Sequence, residues 1–556
     1  MKKILIANRG EIALRIIRAC RDAGYTSVAI ASDADVDSLH ARAADELHIL
    51  PGTSPLDTYL NQQAVLDAAS KSGADAIHPG YGFLSENEVF AAAVESAGLT
   101  WIGPTADSIA LLGDKVSARR IARKVGAPLL PSIDDGSLTL EDAKSFVAEH
   151  GFPVIIKAQN GGGGRGMRIV RENAELESQL QAAVREATLA FGRPECFIEK
   201  YAEHARHVET QCLADRFGNV VVLSTRDCTL QRRQQKLVEE APAPFLTDAQ
   251  VSTLTDASIG ILKEADYRGA ATCEYLITPD GEMYFLEVNT RVQVEHPVTE
   301  EVTGVDIIRE MFKIAEGEKL TLEPPVIRRH SIEFRINAED PWSDFCPIPG
   351  KIRILQLPSG PGVRVDFGYA QNDTIPPYYD SLIGKIIVSG SNRAEAISRA
   401  RRALAEFKAV GIKTIVPLHR AILEQPQFAA DSKEEFKVYT RWIDSELAFL
   451  SDAAKKLLDN SIKSGPEDSI GQSAASVEPA DELPTYRAGV KAPLSGMIME
   501  ICVSEGDMIG VGDVVAIMES MKMEQTITSD ISGVVCKVNV EKGAFIEMDA
   551  DIVGVD

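Results

Sequence analysis

The last seventy residues carry the same pattern twice. "GMIMEICVSEGDMIGVGDVVAIM" from Gly496 aligns with "GVVCKVNVEKGAFIEMDADIVGV" from Gly533, so that Gly496 and Gly506 recur as Gly533 and Gly543, an offset of 37. A strand, a glycine turn and a strand occurring twice predict two similar halves packed as a small all-β domain. Between the halves lies "MESMKME" (518–524), with Lys522 set between two methionines. Taken alone, a solvated hairpin lysine accounts for it. At the tip of a symmetric sandwich it would project into solvent rather than serve the core.

Upstream, residues 451–486 include "KSGPEDSIGQSAASVEPADELP", rich in Ser, Pro, Gly, Ala and acids with little to bury. This segment predicts a mobile linker. Its roughly 36 residues, at roughly 5–6 Å × √n, reach only about 30–36 Å on average, so a tethered domain needs domain movement or another subunit's site to complete a circuit. A chain of 556 residues exceeds one core and predicts three or more domains.

Lys and Arg total 58 against 82 Asp and Glu, a net charge of −24, the opposite of the bias a nucleic-acid binder shows. The eight cysteines are scattered without CxxC spacing, which predicts reduced thiols and neither a zinc site nor a disulfide framework. In "MKKILIANRGE" the apolar run ends at Asn8, too soon for a signal peptide. No stretch approaches the roughly 18 apolar residues of a membrane span. A soluble, cytoplasmic protein with no nucleic-acid or membrane partner is expected.

"KILIA", the helical "GEIALRIIRACRDAG" and "SVAIAS" form a βαβ opening, predicting a Rossmann-like, doubly wound parallel sheet over 1–114. "HPGYGFLSEN" (78–87) follows a strand end, where such sheets place ligand loops. Residues 115–330 mix strands and helices, and 331–450 run from strands to helices.

"PVIIKAQNGGGGRGMRIVR" reads as strand, glycine loop, strand. It lacks the GK[ST] and following helix of a P-loop, so it is either a phosphate-covering loop beside Lys157 or a plain hairpin. In "FLEVNTRVQVEHP" (285–297), Glu287, Asn289, Arg291, Gln293 and Glu295 alternate with apolar residues. As one strand they would share a face, either merely wet or functional, and would span about 26 Å at ~3.3 Å per residue. That length predicts two roles: oxygen ligands for Mg²⁺ at one end, with Glu274 of "CEYL" joining them, and Arg291 and Glu295 for chemistry at the other. Arg232, Arg233 and Lys236 form a small basic cluster, readable as a solvated charge run. Arg335 in "EFRINAED" stands near a domain junction, where a structural ion pair would equally account for it.

Together with "GDKVSAR", "EKYAEHARHVE", "QRRQQKLVEEAPAP", "PPYYDSLIGK" and "GIKT", these motifs resemble biotin carboxylase of the ATP-grasp superfamily, in the family's order, over about 1–450. Residues 487–556 resemble a biotinyl carrier domain (a barrel-sandwich), whose signature is a lysine between two methionines. The combination is similar to acyl-CoA carboxylase alpha subunits. The resemblance implies an N-terminal Rossmann-like domain, an ATP-grasp domain, a C-terminal α+β domain and a carrier with covalent biotin on Lys522. It implies that Lys115, Lys157, Gly163, Gly164, Glu199, Lys200, Tyr201, Ala202 and His207 bind ATP. Glu274, Glu287 and Asn289 would hold Mg²⁺ or Mn²⁺. Lys236, Arg291, Val294 and Arg335 would surround bicarbonate, with Arg335 also facing biotin and Glu295 as general base.

Bicarbonate is a poor nucleophile towards a polyanion, so cations must neutralise both partners while a base takes its proton. Carboxyphosphate formed from ATP hydrolyses readily, so a glycine-hinged lid is expected to exclude water. Gln159 and Asn160 stand where many members have Ser-Gly, Gln234 where many have a nucleotide-side histidine, and Ser520 where alanine is usual. None removes a charge from this scheme. Expected partners are a separate carboxyltransferase (beta) subunit, since no such segment follows residue 450, a biotin protein ligase, and further copies of the chain. A pyruvate or other biotin-dependent carboxylase subunit is the alternative. Another ATP-grasp ligase would not explain Lys522, and a bare carrier would not explain the upstream residues.

Overall fold

The computed structural model describes residues 1–133, 138–159, 167–191, 193–464, 486–493, 496–520, 523–546 and 549–556. Lys3–Ile6 is the centre of a parallel sheet of five strands, in the order Glu46–Leu50, Thr26–Ser32, Lys3–Ile6, Ala76–His78, Thr100–Trp101. Ile4, Leu5 and Ile6 are fully buried, as a central strand covered by helices on both faces requires. The chain proceeds outward from this centre in both directions, so the loops after Lys3–Ile6 and Ala76–His78 open side by side. There the Asn8 side-chain amide donates to the carbonyls of Pro79 (2.7 Å) and Tyr81 (2.8 Å). Gly80 has φ +64°, and a Cβ there would lie 2.9 Å from Asn8 Nδ2, so the close approach of the two loops requires glycine.

The next region contains a four-stranded sheet in which Val154–Ala158 and Met167–Val170 pair antiparallel. Strand, loop and strand are thus in place, while Asn160 and the glycines of the loop lie outside the described residues. A second, eight-stranded sheet runs Met283–Asn289, Gly269–Ile277, Arg206–Ala214, Val220–Arg232, Gln235–Ala241, His330–Asn337, Leu382–Gly390, Val363–Phe367. The boundary expected at 330 falls on the first residue of His330–Asn337, which pairs with Gln235–Ala241 in the register Val238↔Phe334. One sheet therefore carries both regions, and residues from either side of that boundary face a common space.

Residues 451–464, expected to open the linker, are helical, and 465–485 lie outside the described residues. Trp442–Ser464 is one helix, because Leu450 and Ala454 continue the buried stripe of Trp442 and Ile443 into the same core. Among the described residues, no helix is long and apolar enough to cross a membrane.

The repeat builds two sheets of four strands. One runs Ala488–Lys491, Asp551–Val555, Gly533–Val538, Met508–Ile509; the other runs Met523–Thr528, Val514–Ser520, Gly496–Ile501, Phe545–Ile546. The repeat offset exchanges Ala488–Lys491 with Met523–Thr528, Asp551–Val555 with Val514–Ser520, Gly533–Val538 with Gly496–Ile501 and Met508–Ile509 with Phe545–Ile546, turning one order into the other. Each sheet takes strands from both halves, so the two copies interlock around Ile498, Val515, Met518, Val535 and Val553. Ser520 and Met523 are register partners; Lys522 between them lies outside the described residues.

Candidate active site

A cavity of about 1120 Å³ opens between the first domain's loops and the large sheets. Lys115, Lys157, Glu199, Lys200, Tyr201, Ala202, His207, Lys236, Glu274, Glu287, Asn289, Arg291, Val294 and Arg335 all line it. Glu295 does not: it is fully buried behind Lys236 and Arg335. Gly163 and Gly164 lie outside the described residues.

The expectation of a single strand over 285–297 is corrected. The strand ends at Asn289, and Glu295 is the residue before the helix His296–Thr303. Arg291 causes the turn to fold back: its guanidinium donates to Asn289 Oδ1 (3.0 Å), Gln293 Oε1 (2.8 Å) and Glu86 Oε2 (3.0 Å). Glu274, expected at the metal end, and Glu295, expected at the far end of the motif, meet at one ammonium. Lys236 Nζ lies 2.9 Å from Glu274 Oε1, 2.8 Å from Glu295 Oε1 and 2.7 Å from Glu209 Oε2.

This ammonium is buried, which opposes its charge, yet Glu209, Glu274 and Glu295 hold its pKa well above the usual lysine range. Glu295 shows the reciprocal balance. Burial pushes its carboxyl up, but Lys236 and then Arg335 hold it below the ordinary range, so it is an ionised acceptor. Arg335 donates to Glu295 Oε2 at 3.0 Å and to Glu239 Oε1 at 2.5 Å. Burial raises Glu239 to about 7 despite Arg335. The basic run thus divides: Lys236 enters the site, whereas Arg232 and Arg233 pair with Asp344.

At the other end, Lys157 and Arg119 both bind the Glu199 carboxylate, and Lys200 Nζ donates to the Phe152 carbonyl at 2.8 Å. Arg233 (φ 46°) and Gln234 (φ 67°) make the two-residue turn between Val220–Arg232 and Gln235–Ala241. Such a hairpin needs both central residues left-handed, and it puts Gln234 on the cavity wall.

Glu274 and Glu287 are direct register partners on neighbouring strands. Opposed like charges repel; burial, and then the charge of Glu274, raises the Glu287 carboxyl. Asn289 sits two residues along the strand, on the same face, its amide donating to Glu274 Oε1 at 2.9 Å. Lys236 offsets part of the Glu274 charge and Lys115 Nζ stands 3.9 Å from Glu287, and the oxygen-only donor set fits a hard divalent cation such as Mg²⁺. His207, Glu209 and Glu274 also cluster, but Lys236 already neutralises those carboxylates.

Sequence reasoning did not single out Glu86 or Glu209, and it gave Gln293, one of the alternating polar residues, no role of its own. Glu86 lay within the ligand loop 78–87. Glu209 holds Lys236 on one oxygen and the buried Arg226 on the other, at 2.6 Å, a pairing only the sheet register makes visible. Gln293 is nearly buried, with no hydrogen-bond partner for its Nε2 among the described residues, and it lines the cavity.

Fold and site define an ATP-grasp enzyme joined to a carrier domain. Residues 1–109 match the family described as biotin carboxylase, N-terminal domain; 114–323 match carbamoyl-phosphate synthase L chain, ATP binding domain; 333–445 match biotin carboxylase C-terminal domain; and 488–555 match biotin-requiring enzyme. The biotin-dependent acyl-coenzyme A carboxylase alpha3 subunit of Mycobacterium leprae is 46% identical over 98% of this chain and 97% of its own. A pyruvate carboxylase subunit from Methanothermobacter thermautotrophicus is 46% identical over 80% of this chain and 91% of its own. The biotin carboxylase domain dimer of Hydrogenobacter thermophilus 2-oxoglutarate carboxylase, solved with MgADP, ADP and bicarbonate, superposes with a TM-score of 0.77 at 43% identity, covering 81% of this chain and 98% of that one. The chain belongs to the biotin carboxylase family and carries a fused biotinyl domain.

Proposed function

We propose that this chain uses ATP and bicarbonate to carboxylate biotin carried on Lys522 of its own carrier domain, as the alpha subunit of an acyl-CoA carboxylase. The observation that carries the acceptor class is the match to an alpha subunit through catalytic regions and carrier alike, over 98% of the chain.

In this reading Lys115, Lys157, Gly163, Gly164, the Glu199–Ala202 run and His207 hold the nucleotide. Glu274, Glu287 and Asn289 would hold Mg²⁺ or Mn²⁺, which would supply positive charge to offset that of the nucleotide phosphates. Lys236, Arg291, Val294 and Arg335 orient bicarbonate, and Glu295 takes its proton as a bicarbonate oxygen attacks the γ-phosphorus and ADP leaves. The resulting carboxyphosphate breaks to phosphate and CO₂, and Arg335 faces the acceptor. Biotin would supply the ureido nitrogen that receives CO₂, its N–H proton passing to the phosphate just released. A carboxyltransferase subunit, a biotin protein ligase that loads Lys522 and a self-associated, cytoplasmic assembly complete the scheme; the Hydrogenobacter relative is described as a dimer.

Pyruvate is the second reading for the final acceptor, favoured by the 46% identity to a pyruvate carboxylase subunit. Bicarbonate-dependent ATP hydrolysis stimulated by free biotin tests the core activity, and its absence from a metal-replete preparation defeats it. Identifying the co-purifying carboxyltransferase, then assaying it with acyl-CoA and with pyruvate, separates the two acceptors.

A further inference from the structure

Lys385 is a charged side chain with no exposure to solvent, and it stands where three regions of the chain meet. It lies on Leu382–Gly390, opposite Arg335 on one neighbouring strand and Asp366 on the other. Its ammonium pairs with Glu11 Oε1 at 3.1 Å, at the start of the helix Gly10–Ala23 in the parallel-sheet domain. It also donates to the main-chain carbonyl of Val294 at 2.8 Å. Tyr81, from the ligand loop of that same domain, donates its hydroxyl to the same Glu11 oxygen.

Val294 lies in the folded-back turn between Arg291 and Glu295. The neighbouring carbonyls are taken up by the helix that follows: His296 N donates to Gln293 O and Val298 N to Glu295 O, both at 3.3 Å. The Val294 carbonyl is instead held by a side chain from a different region. A buried ion pair of this kind is weak support for stability as such, since apolar residues of similar volume hold regions together as well or better. What it provides is a charged donor at a fixed place, and such a bond is stronger and more directional than a neutral one.

We infer that Lys385, held by Glu11, is a positioning residue that fixes the Val294 carbonyl and thereby sets the Arg291–Glu295 turn in the shape that binds bicarbonate. The inference rests on the bicarbonate reading above and deepens it. Lys385 acts through Val294 and touches no substrate. Because Glu11 and Tyr81 belong to the first domain and Lys385 to a strand of the eight-stranded sheet, the turn has its shape only when that domain is docked on the sheet. Nucleotide binding at Lys115 and Lys157 lies outside this linkage.

The test measures bicarbonate and ATP kinetics of the full chain, with free biotin as acceptor, for Lys385→Met, Glu11→Gln and the double variant. Lys385→Met alone leaves Glu11 buried without its cation and lowers Tm; the double variant removes both charges and regains much of the loss. The expected result is a bicarbonate KM raised at least about tenfold in both chains lacking Lys385, with ATP KM within about twofold of wild type. Glu11→Gln, which keeps the donor, shows a smaller rise in bicarbonate KM than Lys385→Met. A wild-type bicarbonate KM in either chain lacking Lys385 overturns the inference. Equal rises in bicarbonate and ATP KM also overturn it, since general loosening then accounts for the effect. A wild-type chain with no bicarbonate-dependent ATP hydrolysis would instead defeat the functional reading itself.

Discussion

Lys236 Nζ sits 2.8 Å from Glu295 Oε1, and Glu295 itself has no solvent exposure. A carboxylate held by a buried cation is ionised but weakly basic. In the proposed mechanism an arriving bicarbonate would compete for Lys236 and Arg335, so that substrate binding would loosen the hold on Glu295 and raise its basicity when a proton must be taken. Glu295→Gln keeps the shape and the hydrogen-bonding oxygen but removes the base. We expect kcat for bicarbonate-dependent ATP hydrolysis to fall about 10²–10⁴-fold with nucleotide affinity little changed. Steady-state rates and nucleotide titration measure the two; a drop of less than about fivefold would remove Glu295 from that role.

Arg335 bridges Glu239 and Glu295, so truncating it strips a cation from two buried carboxyls at once. Arg335→Ala is expected to lower stability by about 3–5 kcal/mol, the range for breaking a buried pair from one side. Because Glu239 already titrates at about 7, part of that cost is relieved by protonation, and the deficit should be smaller at pH 6 than at pH 8. Carboxylation of free biotin should fall about 100-fold. Near-normal turnover in a folded preparation would show that Arg335 does not serve the acceptor.

The pH dependence of stability has a separate source in Glu240, which accepts from Arg393 Nε and His330 Nε2, both at 2.7 Å. Burial pushes this carboxyl up, but Arg393 and the His330 bond bring it down to about 2. A folded pKa below the unfolded one contributes stability that is present above the unfolded value near 4.5 and is lost as pH falls through about 2. The contribution is about 3 kcal/mol when fully present. In Arg393→Ala we expect lower stability at pH 7 and a flatter decline between about pH 5 and 2. Urea unfolding across that range measures both; an unchanged slope would assign the acid sensitivity elsewhere.

The parts of this protein legible in sequence are those in which neighbours along the chain are neighbours in space. The 37-residue repeat marked out the carrier's two halves, and the βαβ opening marked out the parallel sheet with its ligand loop. What stayed hidden depends on tertiary register. Nothing local marks Glu209 as the second hold on Lys236, or Lys385 as the donor to Val294, because those contacts join strands distant in sequence. Alternation over 285–297 predicted one long strand, since periodicity cannot show that Arg291 turns back to cap Asn289. The same blindness gave residues 451–464 to the linker: Ser, Asp and Ala after Leu450 look loose until Ala454 is seen to bury.

The interlocked repeat also predicts how the carrier can be altered. Ser520 and Met523 pair across the connection that contains Lys522, and the core residues Val515, Met518 and Ile498 lie back along the strands. A change at 522 should therefore leave the domain's packing intact. Lys522→Arg keeps the charge but removes the primary amine a biotin ligase acylates. We expect streptavidin labelling of the chain to disappear after co-expression with the ligase, while Tm and the circular dichroism spectrum match wild type. Labelling that persists in Lys522→Arg and maps by peptide mass to another lysine would move the attachment site. Loss of labelling together with a lowered Tm would show instead that residue 522 supports the fold.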